Sequence, residues 1–176
     1  MKINLSPETA YFAGLWKARK IPHGIGISGN SEAQQIFVSE AMKTFKIPPE
    51  KILVKDELVY FYHSAIRKFL EGVVEGELEF FQWKNEFAFN FLAGMFDGSG
   101  GVDEEKGAVY LTRTTRADQQ LLERLGFMTA KRGGKLYLAA RSVPEFAISI
   151  SRYMKMDALK SRLLALLRPG NERDPR

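Results

Sequence analysis

The sequence contains no cysteine and only two histidines, His23 and His63, among its 176 residues. The absence of cysteine excludes disulfides, thiolate zinc sites and cysteine nucleophiles. Two isolated histidines do not favour a metal centre, so we expect neither a metal site nor a cofactor. The sequence also lacks an 18-residue apolar run and a charged-then-apolar leader. We therefore expect a cytoplasmic protein with no membrane span and no secretory signal.

The chain does contain enough apolar material for a folded core, together with an excess of positive charge. Hydrophobic residues make up 45% of the chain and aromatic residues 12%, which suits one domain or two closely packed halves. The net charge of +5 suits a polyanionic partner, but charge alone does not separate a nucleic-acid surface from a solvated one.

Two similar segments carry the most informative pattern in the sequence. In each of them small residues recur at every fourth position, which places those residues on one face of a helix. Glycine inside a helix costs about 0.5–1 kcal/mol relative to alanine, so Gly14 and Gly94 at matching places indicate close helix packing. The residues that we expect at this contact are Ala10, Ala13, Gly14, Ala18, Ala93, Gly94 and Gly98.

The order of predicted elements repeats after the second motif. Ser6 is predicted to cap the first helix, Asn30 or Ser31 a helix that ends near residue 45, and Thr115 a later helix. Strands are predicted at residues 51–55, 58–63, 108–114, 128–132 and 135–141. An internal duplication therefore divides the chain into residues 1–82 and 83–168, followed by a polar tail at 169–176. The first half is shorter, and we expect its leading hairpin to be reduced to little more than one strand.

The segment from Leu92 to Gly100 closely resembles the motif of the LAGLIDADG homing endonucleases, and the segment from Phe12 to Lys20 resembles it in a degraded form. The resemblance implies an α+β fold of two pseudo-symmetric αββαββα repeats. It also implies that the motif helices pack at the centre and that the antiparallel sheets form a saddle over DNA. In that family, acids at the eighth motif position bind the metals that cut DNA.

The motif positions that would carry this chemistry are altered in both copies. The sixth positions are Lys17 and Asp97, and the eighth positions are Arg19 and Ser99. Cleavage needs carboxylates that hold Mg²⁺ beside the attacked phosphate, and neither eighth position is acidic. The resemblance therefore implies a monomer that binds double-stranded DNA without nuclease activity. One alternative is an active Mg²⁺-dependent endonuclease that uses Asp97 and nearby acids, and another is an RNA-binding maturase-like intron folding factor.

Strand alternation predicts which residues would face the nucleic acid. If Val109, Leu111, Leu136 and Leu138 face the helices, the opposite face presents tyrosine, threonine and basic side chains. The first-half strand at residues 58–62 is apolar on both faces, so a partner or the chain itself is expected to cover it. The residues predicted to contact nucleic acid are Lys17, Arg19, Lys20, Lys51, Lys55, Tyr110, Thr112, Arg113, Arg116, Lys131, Arg132, Lys135, Tyr137 and Arg141.

Overall fold

The computed structural model describes residues 2–168, in which helices alternate with two antiparallel sheets. The first half contains α1 (Pro7–Arg19), β1 (Ile25–Ser28), α2 (Ser31–Phe45), β2 (Leu53–Lys55), β3 (Leu58–Phe61), α3 (Ser64–Glu75) and α4 (Glu77–Phe80). The second half contains α5 (Glu86–Ser99), β4 (Gly100–Asp103), β5 (Ala108–Leu111), α6 (Arg116–Arg124), β6 (Thr129–Arg132), β7 (Lys135–Leu138), α7 (Val143–Ser151) and α8 (Asp157–Ala165). The predicted tail at 169–176 lies outside the described residues.

Side-chain caps set the helix starts, as the sequence predicts. The Ser6 hydroxyl accepts a hydrogen bond from the backbone N–H of Thr9, and Asn30 and Thr115 cap α2 and α6 in the same way. Asn85, which sequence reasoning overlooked, caps α5. No helix among residues 2–168 is long and apolar enough to cross a membrane.

The two sheets have different numbers of strands. The first has the order β1-β3-β2 and the second has the order β4-β5-β7-β6. In the second half, Gly100 of β4 pairs with Leu111, whereas in the first half only an isolated bridge joins Lys20 to Ile27. A single bridging residue thus stands in the first half where the second half has a whole strand.

Several predicted boundaries are corrected by the structure. Lys51 lies in a 3-10 turn at Pro49–Lys51 and not in a strand, because proline at the start of that turn fixes a helical backbone angle. Arg141 lies in a second 3-10 turn, Ala140–Ser142, beyond the end of β7. The motif helix α5 ends at Ser99, and the glycine pair that follows it begins β4.

The two motif helices, α1 and α5, cross at the centre of the molecule and contact each other through their backbones. A Cβ atom added to Gly14 would lie 2.1 Å from the carbonyl oxygen of Phe91, and one added to Gly94 would lie 2.1 Å from that of Tyr11. At Gly98 the added atom would lie 2.5 Å from the Cβ of Ala18. The expected packing of the central helices is confirmed, and both glycines are needed because the facing atoms belong to the backbone.

Lys17 at the end of α1 is buried in a cluster of charged side chains. Its ammonium group pairs with Asp118 of α6, and its Nζ lies 3.9 Å from Oε1 of Glu77 at the start of α4. Burial and the neighbouring Asp118 carboxylate raise the pKa of Glu77 to about 8, although Lys17 acts in the opposite direction. The cluster joins elements of both halves.

We predict that a side chain at Gly94 destabilises the protein. Gly94→Leu should lower the free energy of unfolding by about 1–3 kcal/mol or more, because the new atoms meet backbone that cannot move aside. Chemical denaturation measures this change. Gly72→Ala on α3 is the matched control, since no atom lies within 4 Å of the added Cβ, and it should be neutral or slightly stabilising. Equal stability of Gly94→Leu and the parent protein would show that the helices do not meet there.

We also predict that stability falls as the pH rises from about 5 to 8. A folded-state pKa of about 8 for Glu77, against 4.5 for the free side chain, means that the native state binds more protons in this range. Each pKa unit corresponds to about 1.4 kcal/mol. Glu77→Gln should therefore be more stable than the parent at pH 8 and nearly equal to it at pH 5 in denaturant titrations. The exposed neighbour Glu79→Gln is the control, and identical pH slopes for all three proteins would contradict the assignment.

Candidate nucleic-acid interface

The outer face of the second sheet, the face turned away from the helices, carries the polar side chains that strand alternation predicted. Val109, Leu111, Leu136 and Leu138 are buried on the inner face. Tyr110 pairs directly with Tyr137 across β5 and β7, on the opposite face. The predicted facing of these two strands is thus confirmed.

Two aromatic rings and two cations form the centre of this outer face. The ring centroids of Tyr110 and Tyr137 are 5.6 Å apart. The Nζ of Lys135 lies 4.4 Å from the Tyr110 centroid, and the guanidinium carbon of Arg132 lies 4.7 Å from that of Tyr137. Neither cation forms an ion pair with an acid among the described residues. Both positive charges are therefore fixed in place and available to an anionic ligand.

Gly101 leaves room for the Tyr110 ring to lie over the neighbouring strand β4. A Cβ atom at Gly101 would lie 2.3 Å from Cζ of Tyr110, so the tyrosine ring occupies the space that a side chain on β4 would fill. Sequence reasoning missed this role of Gly101. The sequence signal that could have revealed this role is a glycine placed opposite a tyrosine of the neighbouring strand.

Other predicted contact residues lie at different places around this face. Lys131 pairs with Leu136 and therefore lies on the same, inner side of the sheet, although it is exposed at the sheet edge. The hydroxyl of Thr112 donates a hydrogen bond to the backbone oxygen of Ser99, 3.1 Å away. Arg116 is exposed at the first position of α6, and Arg141 is exposed beyond the sheet. Only Arg132, Lys135 and the two tyrosines form one contiguous group.

Two arginines, Arg19 and Arg113, lie where the motif helices end. Nε of Arg19 donates a hydrogen bond to the backbone oxygen of Gly98 on the other motif helix. Burial and the nearby Arg113 both lower the pKa of Arg19. Arg113 has a φ of 53°, which is unusual for a bulky residue, and it is exposed. No described carboxylate pairs with either guanidinium. Unneutralised positive charge is therefore concentrated where the two halves meet.

Asp97 at the sixth motif position is part of the protein core. Its Oδ2 accepts hydrogen bonds from the Tyr11 hydroxyl at 2.6 Å and from the backbone N–H of Lys155 at 2.7 Å. Only 3% of the residue is exposed, and this burial raises the pKa of Asp97 to about 6, against the lowering effect of its hydrogen bonds. The carboxylate therefore joins α1 and α5 to the segment before α8.

The side chains at the eighth motif positions do not fit a divalent metal. A guanidinium at Arg19 cannot act as a ligand and repels a cation, and the Ser99 hydroxyl donates a hydrogen bond to the backbone oxygen of Met95 at 3.2 Å. Residues 2–168 contain no group of three or more His, Asp or Glu side chains arranged to hold a metal ion.

The remaining predicted basic residues lie in the first half. Lys20 is exposed, with its Nζ 4.6 Å from the Trp16 ring centroid. Lys51 and Lys55 are exposed beside the first sheet. Lys17 is only 9% exposed and is held by acids, so its charge is neutralised within the protein.

The outer face of the first sheet differs from that of the second. Tyr60 of β3 pairs with Gly26 on one side and with Leu53 on the other. The centroids of Tyr60 and Tyr62 are 5.8 Å apart, and Leu53 and Tyr62 are 43% and 66% exposed. This face is mostly apolar and aromatic, with Lys55 paired to Leu58, whereas the second face carries two cations against its tyrosine rings.

Comparison with known proteins gives the fold but no close relative. The chain matches no protein-family model and no curated protein. The I-DmoI homing endonuclease in complex with DNA and Ca matches at 16% identity and a TM-score of 0.58, covering 93% of this chain and 98% of that one. The N-terminal LAGLIDADG domain of DUF199/WhiA matches at 15% identity and a TM-score of 0.55, covering 90% and 89%. Together with the two motifs and the crossed central helices, these matches show that the chain has the LAGLIDADG fold.

Proposed function

We propose that this protein is a monomer that binds double-stranded DNA through the outer faces of its two sheets and does not cut it. The observation that carries the proposal is the unneutralised positive charge of Arg132 and Lys135 on the outer face of the second sheet. The I-DmoI structures with which the chain shares its fold are described as complexes with DNA. The halves before and after residue 82 would each supply one sheet, so a second copy is not needed.

Groove geometry favours duplex DNA over duplex RNA as the ligand. The major groove of B-DNA is wide enough to admit a β-ribbon, whereas that of A-form RNA is too narrow for side chains to read. Lysine and arginine on such a face can contact phosphates or the acceptor atoms of guanine.

The arginines where the motif helices end support binding without cleavage. In the centre of a bound duplex, Arg19 and Arg113 would lie near phosphates, and the positive charge that would repel a metal would attract the DNA backbone. The uncommon backbone angle of Arg113 fits a residue held in place for such a contact. Asp97 does not support the endonuclease alternative, because its carboxylate is buried in the core, where Oδ2 accepts two hydrogen bonds.

We predict that Arg132 and Lys135 contribute to DNA affinity in a salt-dependent way. Replacing both with alanine should weaken binding and flatten the slope of log K against log salt by about 0.9 for each phosphate that the variant no longer neutralises. Fluorescence anisotropy with a labelled duplex measures both quantities. The control, Lys43→Ala with Lys68→Ala, removes equal charge from exposed positions on α2 and α3, and it should leave the slope almost unchanged. Equal effects of the two double variants would contradict the proposed face.

We predict that the protein leaves DNA intact in Mg²⁺ and in Mn²⁺. A plasmid that carries a site selected from random duplexes should stay supercoiled, because neither eighth motif position supplies a carboxylate. Nicked or linear product that disappears in Asp97→Asn would instead establish the endonuclease alternative. Restoring the acids with Arg19→Asp and Ser99→Asp is a further arm, in which renewed cutting would show that only the metal ligands are missing.

A further inference from the structure

We propose that the outer face of the first sheet recognises thymine through its C5-methyl groups, so that the two halves of the protein read chemically different half-sites. The inference rests on the proposed DNA-binding function and specifies what the first half of the protein binds.

The strand register shows which positions of the two sheets correspond. Tyr60 of β3 pairs with Gly26 of β1, and Tyr137 of β7 pairs with Tyr110 of β5, so β1 and β5 occupy the same place in their sheets. Along the hairpins, Lys55 pairs with Leu58 as Arg132 pairs with Lys135. Leu58 therefore takes the place of Lys135, and by the same register Leu53 takes the place of Ala130.

Leu58 replaces the ammonium group of Lys135 with an apolar side chain, while Lys55 keeps a cation at the place of Arg132. Leu53 and Tyr62 remain 43% and 66% exposed, and Leu58 and Tyr60 are partly exposed beside them. Tyr60 is held in position, because a Cβ atom at Gly26 would lie 2.4 Å from the Cβ of Tyr60. Neighbouring exposed apolar side chains of this kind suit contact with an apolar group of a ligand.

Thymine is the DNA base that suits this surface. Among the four bases, only thymine presents an apolar group, its C5-methyl, in the major groove of the duplex. Lys55 shares the outer face with the patch, where it pairs with Leu58, and Lys51 is exposed in the turn before β2, so a polyanion is favoured over an apolar protein partner. The patch also corresponds, strand for strand, to the cationic face of the second sheet, and one duplex that spans the molecule would contact both.

Replacement of thymine by deoxyuracil tests the inference, because only the methyl group is removed. A duplex is first selected from random sequences, and a Glu57→Cys variant is used to find which half of that duplex lies against the first sheet. This cysteine is the only one in the chain, and an iron chelate attached to it cleaves the DNA beside the first sheet. Uracil is then introduced into one half-site at a time. We expect affinity to fall about fourfold for each contacted thymine in the half-site of the first sheet, the factor that corresponds to burial of one methyl-sized group at about 0.8 kcal/mol.

A matched pair of variants separates methyl recognition from general damage. Leu53→Ser should abolish the preference for thymine over uracil, whereas Ala130→Ser at the corresponding exposed position should retain it. Melting curves confirm that both variants are folded.

Binding that tolerates uracil in the half-site of the first sheet would overturn the inference while leaving the proposed function intact. Self-association that Leu53→Ser removes would overturn it too, by assigning the patch to a second copy of the chain. Failure to bind any duplex would overturn the proposed function, and this inference with it.

Discussion

The close crossing of α1 and α5 is the constraint on which the rest of the structure depends. Each helix has a glycine where the backbone of the other passes, and an added Cβ at either position would lie 2.1 Å from a carbonyl oxygen. The helices also contact the strands of their own halves, α1 against β1 and α5 against β4. The separation of the helices therefore sets the separation of the two sheets. A larger residue at the crossing would move both outer faces as well as weaken the core.

The two halves have the same framework but different surface chemistry. On the second sheet, tyrosine rings support Arg132 and Lys135, while on the first the corresponding hairpin presents Leu58 and Lys55. Packing on all sides limits which residues fit in a core, whereas only the contacts of an outer sheet face limit which residues it carries. The two halves therefore differ in charge on the surfaces that we assign to the ligand.

The sequence predicted most of the fold because its signals are local. Ser6, Asn30 and Thr115 cap helices through contacts only three residues away, and Gly133 and Gly134 adopt the positive φ angles of a tight hairpin turn. The site was less predictable. Lys17 looked like a free basic residue, because its partners Glu77 and Asp118 are distant in sequence and only the assembled fold brings them together.

The buried charges at the sixth motif positions make the halves unequal partners. Lys17 in the first half is neutralised by Asp118 of the second, and Asp97 in the second half accepts a hydrogen bond from Tyr11 of the first. If two first halves paired, α2 would offer Ala33 at the position that corresponds to Asp118, and the buried ammonium group of Lys17 would lose its nearest carboxylate. The charge pattern thus makes the pairing of a first half with a second half energetically distinct, and it opposes the pairing of two first halves.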